Sequence, residues 1–203
     1  MNKGRVEAFS DGVFAIAITV LVLTIAAPSN YRHLGHEVWN EWPALAAYVV
    51  SFVVIGIVWL SHHSIFNCFD HIDRPLVYLN QLLLLTVVFI PYPTGVFGEA
   101  LQRGEGTKVA AVLYTATMAV NAYCWTALWV YGSSGRRLLH ARFPEEQRRS
   151  ATVAFSAGSA VYTLAILIAL VNAYACLAFH ALMAVYYAVD PLSRRAAVDP
   201  SAT

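Results

Sequence analysis

Charge is scarce in this sequence. Only 12% of its 203 residues are charged, 13 Lys or Arg against 12 Asp or Glu, for a net charge of +1. So even a balance offers no general attraction for nucleic acid, which is not an expected partner. Cysteine is also rare. Cys68, Cys124 and Cys176 form an odd, scattered set without a Cys-x-x-Cys pair, in or beside apolar runs. They read as small buried side chains, not as a disulfide framework. Catalytic motifs are missing as well: there is no Gly-x-Ser-x-Gly elbow, no His-Glu-x-x-His and no phosphate-binding glycine loop. An enzyme is therefore not expected, nor is a bound cofactor.

What the chain has in abundance is apolar length. With 59% hydrophobic residues it is too apolar for an ordinary soluble domain and too long for one membrane span. Its mean hydropathy of +0.57 says the same. Hydropathy predicts six transmembrane helices, at about 5–26, 43–66, 75–97, 107–131, 150–171 and 173–190. Each is near the roughly 20 residues that a bilayer core demands. The fold class is thus an all-α integral membrane protein, with residues 1–190 as one transmembrane domain and 191–203 as a short polar tail. The loops carry the expected breakers: Pro28-Ser29-Asn30, the segment from Asp70 to Pro75, Gly104-Glu105-Gly106 and Gly132-Ser133-Ser134-Gly135. The last two helices are joined almost directly near Asn172.

Lys3 and Arg5 ahead of an apolar run resemble the start of a signal peptide. Pro28 at the would-be cleavage point, with Glu7 and Asp11 before the apolar core, argues for a retained first helix. Orientation follows from the basic residues. With both termini cytoplasmic, that side holds Lys3, Arg5, Arg74, Arg136, Arg137, Arg142, Arg148, Arg149, Arg194 and Arg195, and the other side only Arg32, Arg103 and Lys108. The expected location is a cell membrane, multi-pass, with both ends inside. Membrane lipid is accordingly an expected partner, and anionic headgroups are candidate ligands of the Arg-rich loop from 132 to 149.

Polar residues inside the membrane are costly and call for a reason. Arg5, Phe9, Ser10 and Asp11 sit on adjacent turns at the head of helix one. Trp59, His62 and His63 lie toward the cytoplasmic end of helix two, and Asn80 near the cytoplasmic start of helix three. Because the first and third helices run outward and the second inward, these groups fall at similar depth. A buried Asp11 would need donors, which Ser10, His62 and Asn80 supply, with Arg5 able to compensate its charge. Two readings stand: a hydrogen-bond clamp joining three helices, or a proton relay through Asp11 and His62.

Arg-x-x-x-Phe-Ser-Asp at positions 5 to 11, then Ile16 and Thr19, then Trp59-Leu60-Ser61-His62-His63, Leu79-Asn80 and the segment Phe89-Ile90-Pro91-Tyr92-Pro93-Thr94 resemble the prokaryotic branch of the transmembrane protein 175 family of lysosomal and bacterial potassium channels. The likeness is specific through roughly the first 100 residues; Tyr92 stands where Phe is expected. The resemblance implies a homotetramer in which helix one of each subunit lines a central pore for K+ and other monovalent cations. It also implies a design without a carbonyl filter, and the sequence indeed has no Thr-Val-Gly-Tyr-Gly loop.

Ile16, Thr19 or Val20, and Leu23 recur at helical spacing and share one stripe of helix one. By periodicity alone such a stripe faces lipid or neighbouring helices. The resemblance instead places Ile16 at a hydrophobic constriction, with Thr19 and Leu23 at the next pore-facing levels and Thr19 as the source of a modest potassium preference. Thr19 can equally bond its own backbone one turn back. A secondary transporter using Asp11 and His62, and a haem protein using the histidines of helix two with His180, are the competing readings. His62, His63, Cys68, Asp70, His71 and Asp73 include metal-ligand types but sit at no zinc spacing.

Overall fold

The computed structural model describes residues 2–27 and 31–189. The Pro28-Ser29-Asn30 loop and the tail with Arg194 and Arg195 lie outside the described residues. Eight helices are described: α1 (Lys3–Leu21), α2 (Leu34–Asn40), α3 (Trp42–Asn67), α4 (Arg74–Phe89), α5 (Pro91–Arg103), α6 (Thr107–Ser133), α7 (Glu145–Val171) and α8 (Ala173–Val189). Among the described residues the only β pairing is an isolated antiparallel bridge between Phe69 and Leu139. Four segments are long and apolar enough to cross a membrane by length and composition: Lys3–Thr24, Trp42–Asn67, Arg74–Arg103 and Glu145–Val171. α8 is apolar but shorter, and α6 is as long as α7 but carries Thr115, Thr117 and Asn121 among its buried residues.

Local chemistry sets the boundaries. Asn2 and Asp73 cap α1 and α4, their side-chain oxygens accepting from Arg5 N at 3.4 Å and Leu76 N at 3.0 Å. The third predicted span is divided at Pro91, which has no N–H to give to the carbonyl of Val87. Ile90 N donates there instead at 3.1 Å, and α5 runs on to Gly104, whose φ of 72° ends it in the left-handed region. This helical segment reaches Arg103, beyond the expected end at 97. Asn172 leaves helical geometry and closes α7, while its side chain accepts from Ala175 N at 2.9 Å and caps α8. The helix α2, the short 3-10 turns Val22–Thr24 and Tyr31–His33, and the start of α7 at Glu145 were not anticipated.

α6 is the hub of the bundle, packing against α4, α5, α7 and α8, while α3 packs against α1, α5 and α8. Several polar side chains in these interfaces pair across helices, which offsets the cost of their burial. Ser51 Oγ meets Thr94 Oγ1 at 2.8 Å and Tyr114 Oη at 2.9 Å, joining α3, α5 and α6. Asn121 donates to Thr86 Oγ1 at 2.7 Å, joining α6 to α4. Thr126 and Ser159 hydroxyls lie 2.8 Å apart between α6 and α7. The three cysteines are free thiols, Cys68 and Cys176 buried and Cys124 half-buried.

At one end of the bundle the α6–α7 loop docks on the α3–α4 loop. Asp70 N donates to Leu138 O at 2.9 Å and His140 N to Cys68 O at 3.1 Å, over a floor of buried Phe69, Trp129 and Phe143. Asp70 pairs with His140, and Asp73 Oδ2 accepts from Tyr131 Oη at 2.7 Å and Arg137 Nη2 at 2.6 Å. Burial disfavours the charged form of Asp73, but the bonds from Tyr131, Leu76 N and Arg137 outweigh it and hold the carboxyl below the usual carboxylate range.

Two predictions follow from this packing. A lowered carboxyl lends stability that is complete above the ordinary Asp value of about 4 and is lost as pH falls through the lower folded value. Asp73→Asn keeps the cap but should flatten the acid side of the stability profile, read as melting temperature in detergent between neutral and strongly acid pH. The second concerns Gly98, where α5 crosses α3 so closely that an added Cβ would lie 2.9 Å from Ala44 Cα and 3.1 Å from its Cβ. Backbone cannot yield as a side chain does, so Gly98→Ala should destabilise by about 1–3 kcal/mol, whereas Gly56→Ala, with nothing within 4 Å, should stay near wild type in thermal unfolding.

Candidate functional site: the two faces of the first helix

α1 divides cleanly by exposure. Val6, Ser10, Phe14, Ala17 and Leu21 are buried on one face against α3, α4 and α5. Arg5, Phe9, Gly12, Ile16 and Thr19 are exposed, and their spacing puts them on the opposite side of the helix; Leu23, in the 3-10 turn Val22–Thr24 that continues α1, is exposed as well. Ile16 is 61% and Leu23 78% exposed, values foreign to large apolar side chains unless lipid or another protein surface meets them.

The buried face is fixed by a connected chain of hydrogen bonds. Ser10 Oγ donates to Val6 O at 2.9 Å and accepts from Asn80 Nδ2 at 3.0 Å. Asn80 Oδ1 lies 2.8 Å from His62 Nε2, and because a carbonyl oxygen only accepts, His62 carries a proton on Nε2. Ser10, His62 and Asn80 are each at most 1% exposed. The imidazole is stacked on Phe66 with ring centroids 4.2 Å apart and meets Phe14 edge-on at 5.4 Å. Three helices are thereby locked at one level, with every named polar group paired.

Asp11 stands apart from this chain. It is exposed and accepts from Trp59 Nε1 at 2.9 Å. The expected buried carboxylate satisfied by Ser10, His62 and Asn80 is not what the subunit contains. One residue along a helix is a turn of about 100°, so a serine aimed at α4 sends the next side chain past it toward α3. Arg5 does not compensate Asp11 either: among the described residues its exposed side chain makes no hydrogen bond or ion pair. Phe9 is likewise exposed, on the side of Ile16. The basic tether of α1 is Lys3, whose Nζ donates to Phe69 O at 2.9 Å and lies 3.9 Å from Glu7.

The Thr19 hydroxyl donates to Ile16 O at 2.9 Å. That bond uses its one proton and leaves the oxygen lone pairs, so the backbone bond and an outward acceptor role are compatible. The partnership of Trp59 with Asp11 and the Ser51–Thr94–Tyr114 network were the elements missed by sequence reasoning. Trp59, His62 and Phe66 at i, i+3 and i+7 carried a signal for the former; hydroxyls scattered in apolar runs gave none for the latter.

The family model described as endosomal/lysosomal potassium channel TMEM175 matches residues 5–91, the stretch that holds α1, α3 and α4. A potassium channel of Streptomyces collinus is 42% identical over 206 aligned residues, covering 99% of this chain and all of the relative. The chain belongs to the TMEM175 family. A potassium channel of Chamaesiphon minutus is 33% identical over 93% of this chain and 94% of its own length. The crystal structure of a lysosomal potassium-selective channel TMEM175 homolog from that organism matches with a TM-score of 0.83 at 31% identity, covering 93% of this chain and 97% of that one. These relatives are ion channels, not enzymes, and with several apolar helices the present chain is a multi-pass membrane protein.

The bond geometry ranks the motif residues. Asn80→Ala leaves both Ser10 and His62 buried without their partner and should cost about 1–3 kcal/mol for each orphaned group. Asp11→Ala breaks one exposed bond and should cost less. Melting temperatures of the two variants in detergent check the order; equal losses would contradict it.

Proposed function

We propose that the protein is a potassium-preferring cation channel, a homotetramer of six-span subunits in which α1 lines a central pore. The observation that carries the reading is the division of α1: one face is committed to Ser10, Asn80 and His62, and the other leaves Ile16, Thr19 and Leu23 uncovered. Full-length likeness to potassium channels supports it. In a fourfold arrangement each exposed position becomes a ring of four identical side chains. A ring of Ile16 offers nothing to replace ion hydration and forms the barrier, Leu23 repeats this at another level, and Thr19 between them offers hydroxyl oxygens. No cofactor is needed beyond the permeating K+ ions.

Six spans are obtained from α1, α3, the α4–α5 pair, α6, α7 and α8. α6 is the most protected of these, so it tolerates the threonines and asparagine that lower its hydropathy, and α8 follows α7 as a hairpin. The basic loop between α6 and α7 favours cytoplasmic termini in a cell membrane, and residues 1–190 then form one channel domain with a polar tail. The carrier reading through Asp11 and His62 is weaker, because the two groups are engaged with different partners, Trp59 and Asn80.

Reversal potentials of the purified protein in planar bilayers test the assignment. Under asymmetric K+ and Na+ the current should reverse on the K+ side of zero, displaced from zero modestly and well short of the K+ equilibrium value; reversal at zero under every cation gradient contradicts it. Thr19→Val should move the reversal toward zero while the pore still conducts. Single-channel records of Ile16→Asn should show more frequent or larger openings than wild type, with Ile16→Leu near wild type. Like behaviour of both in a folded assembly would make Ile16 packing and move the barrier to Leu23.

A further inference from the structure

On the opposite side of the bundle from the exposed stripe of α1, a cavity of about 90 Å³ lies between α3, α6, α7 and α8, lined by apolar groups such as Val54, Met118, Trp125 and Phe155. Beside it a groove of about 700 Å³ runs between α7 and α8 to the head of α7, where Glu146, Arg149 and Ser150 form its rim. The two spaces adjoin, with Ala154, Gly158 and Tyr187 as common walls; the cleft between α7 and α8 is largely apolar along its length and charged at its mouth. Gly158 lets Tyr187 pack close against α7: a Cβ there would come 3.3 Å from Tyr187 Oη. α8 permits the cleft because its buried residues end at Ala184, leaving its last turns only lightly covered.

The mouth is positive. Glu145 is shared by Arg136 at 3.6 Å, Arg148 at 2.6 Å and Arg149 at 3.1 Å, so three guanidiniums surround one carboxylate. With Glu146 counted, this cluster at the head of α7 holds three cations against two anions; of it, Arg149 and Glu146 line the groove, and Arg149, with a side chain 77% exposed, has donors to spare. We propose that this cleft binds an anionic phospholipid, its phosphate at Arg149 and Ser150 and one acyl chain along the groove between α7 and α8, past Val153, Ala157, Val161 and Met183. Guanidinium forks suit phosphate oxygens, the apolar length of the groove suits a hydrocarbon chain, and the groove joins the two at an interfacial level. A second copy of the chain would bring a second positive rim against the first. Residues 190–203, with Arg194, Arg195 and Asp199 and no apolar run, do not suit the apolar end. The assignment holds whether or not ions pass along α1.

Native mass spectrometry of the full chain in a nonionic detergent, titrated with palmitoyl-oleoyl phosphatidylglycerol or with phosphatidylcholine of the same chains, tests it. The wild type should bind phosphatidylglycerol about fivefold more tightly, as one basic side chain near a headgroup supplies. Arg149→Gln should abolish that preference, and Gly158→Leu should weaken both lipids together. Phosphatidylglycerol with a diazirine at the end of its acyl chain keeps the question open to measurement if Gly158→Leu fails to fold: it should label peptides of α7 or α8 lining the groove. Equal affinity for the two lipids, a preference unchanged by Arg149→Gln, labelling confined to α1, or cross-links from a second chain across α7 and α8 would overturn the proposal.

Discussion

The channel proposed for this protein depends on the rotation of α1 about its own axis, and that rotation is set by the hydrogen bonds running from Ser10 through Asn80 to His62. Apolar packing alone would define it poorly. In a bilayer, lipid is as good a neighbour for Ile16 or Leu23 as another helix, so the hydrophobic effect does not decide which side of an apolar helix turns inward. A serine hydroxyl and an asparagine amide do decide, because either one left unpaired in the bundle costs more than any rearrangement of aliphatic contacts returns. With Ser10 aimed at α4, helical geometry leaves Ile16, Thr19 and Leu23 facing away from the subunit. The same constraint turns Asp11 out of the buried network and onto Trp59.

The rest of the bundle is built to hold that arrangement still. α3 presents His62 while its other turns meet α5 and α8, and it is held to α5 and α6 by the hydroxyls of Ser51, Thr94 and Tyr114. α4 presents Asn80 and is in turn bonded to α6 through Thr86 and Asn121. α6 thus supports both partners of α1 and meets the polar chain at His62, whose ring centroid lies 6.2 Å from that of Trp125. The loop platform of Phe69, Trp129 and Phe143 closes one end and receives Lys3. The far side of α6, where α7 and α8 diverge, is packed less completely, and there the cleft opens.

The all-helical class, the positions of the long apolar helices and the meeting of Ser10, His62 and Asn80 were legible because they rest on length, hydropathy and alternating direction. The bend at Pro91 and the caps at Asp73 and Asn172 follow from rules equally local. What sequence could not resolve was which neighbour each polar group takes once several reach the same level. Ser10 and Asp11 are adjacent in the chain and both can bond; only the angular position of α3 and α4 around α1 separates them. The Arg5 side chain was expected at Asp11 for reasons of charge, yet charge has a long reach and no direction, and the indole of Trp59 occupies the carboxylate instead. The helix α2 and the start of α7 at Glu145 escaped notice because they are interfacial and polar, where hydropathy carries little signal.

The central claim is that the outward stripe of α1 borders an ion pathway in the assembled protein. Cysteine placed at Leu23 and, as a control, at Val22 beside it, in a background lacking Cys68, Cys124 and Cys176, can be exposed to a positively charged thiosulfonate during bilayer recording. The account predicts that modification of Leu23→Cys blocks the cation current while the same reagent leaves Val22→Cys conducting. Unchanged current through a demonstrably modified Leu23→Cys protein would contradict it.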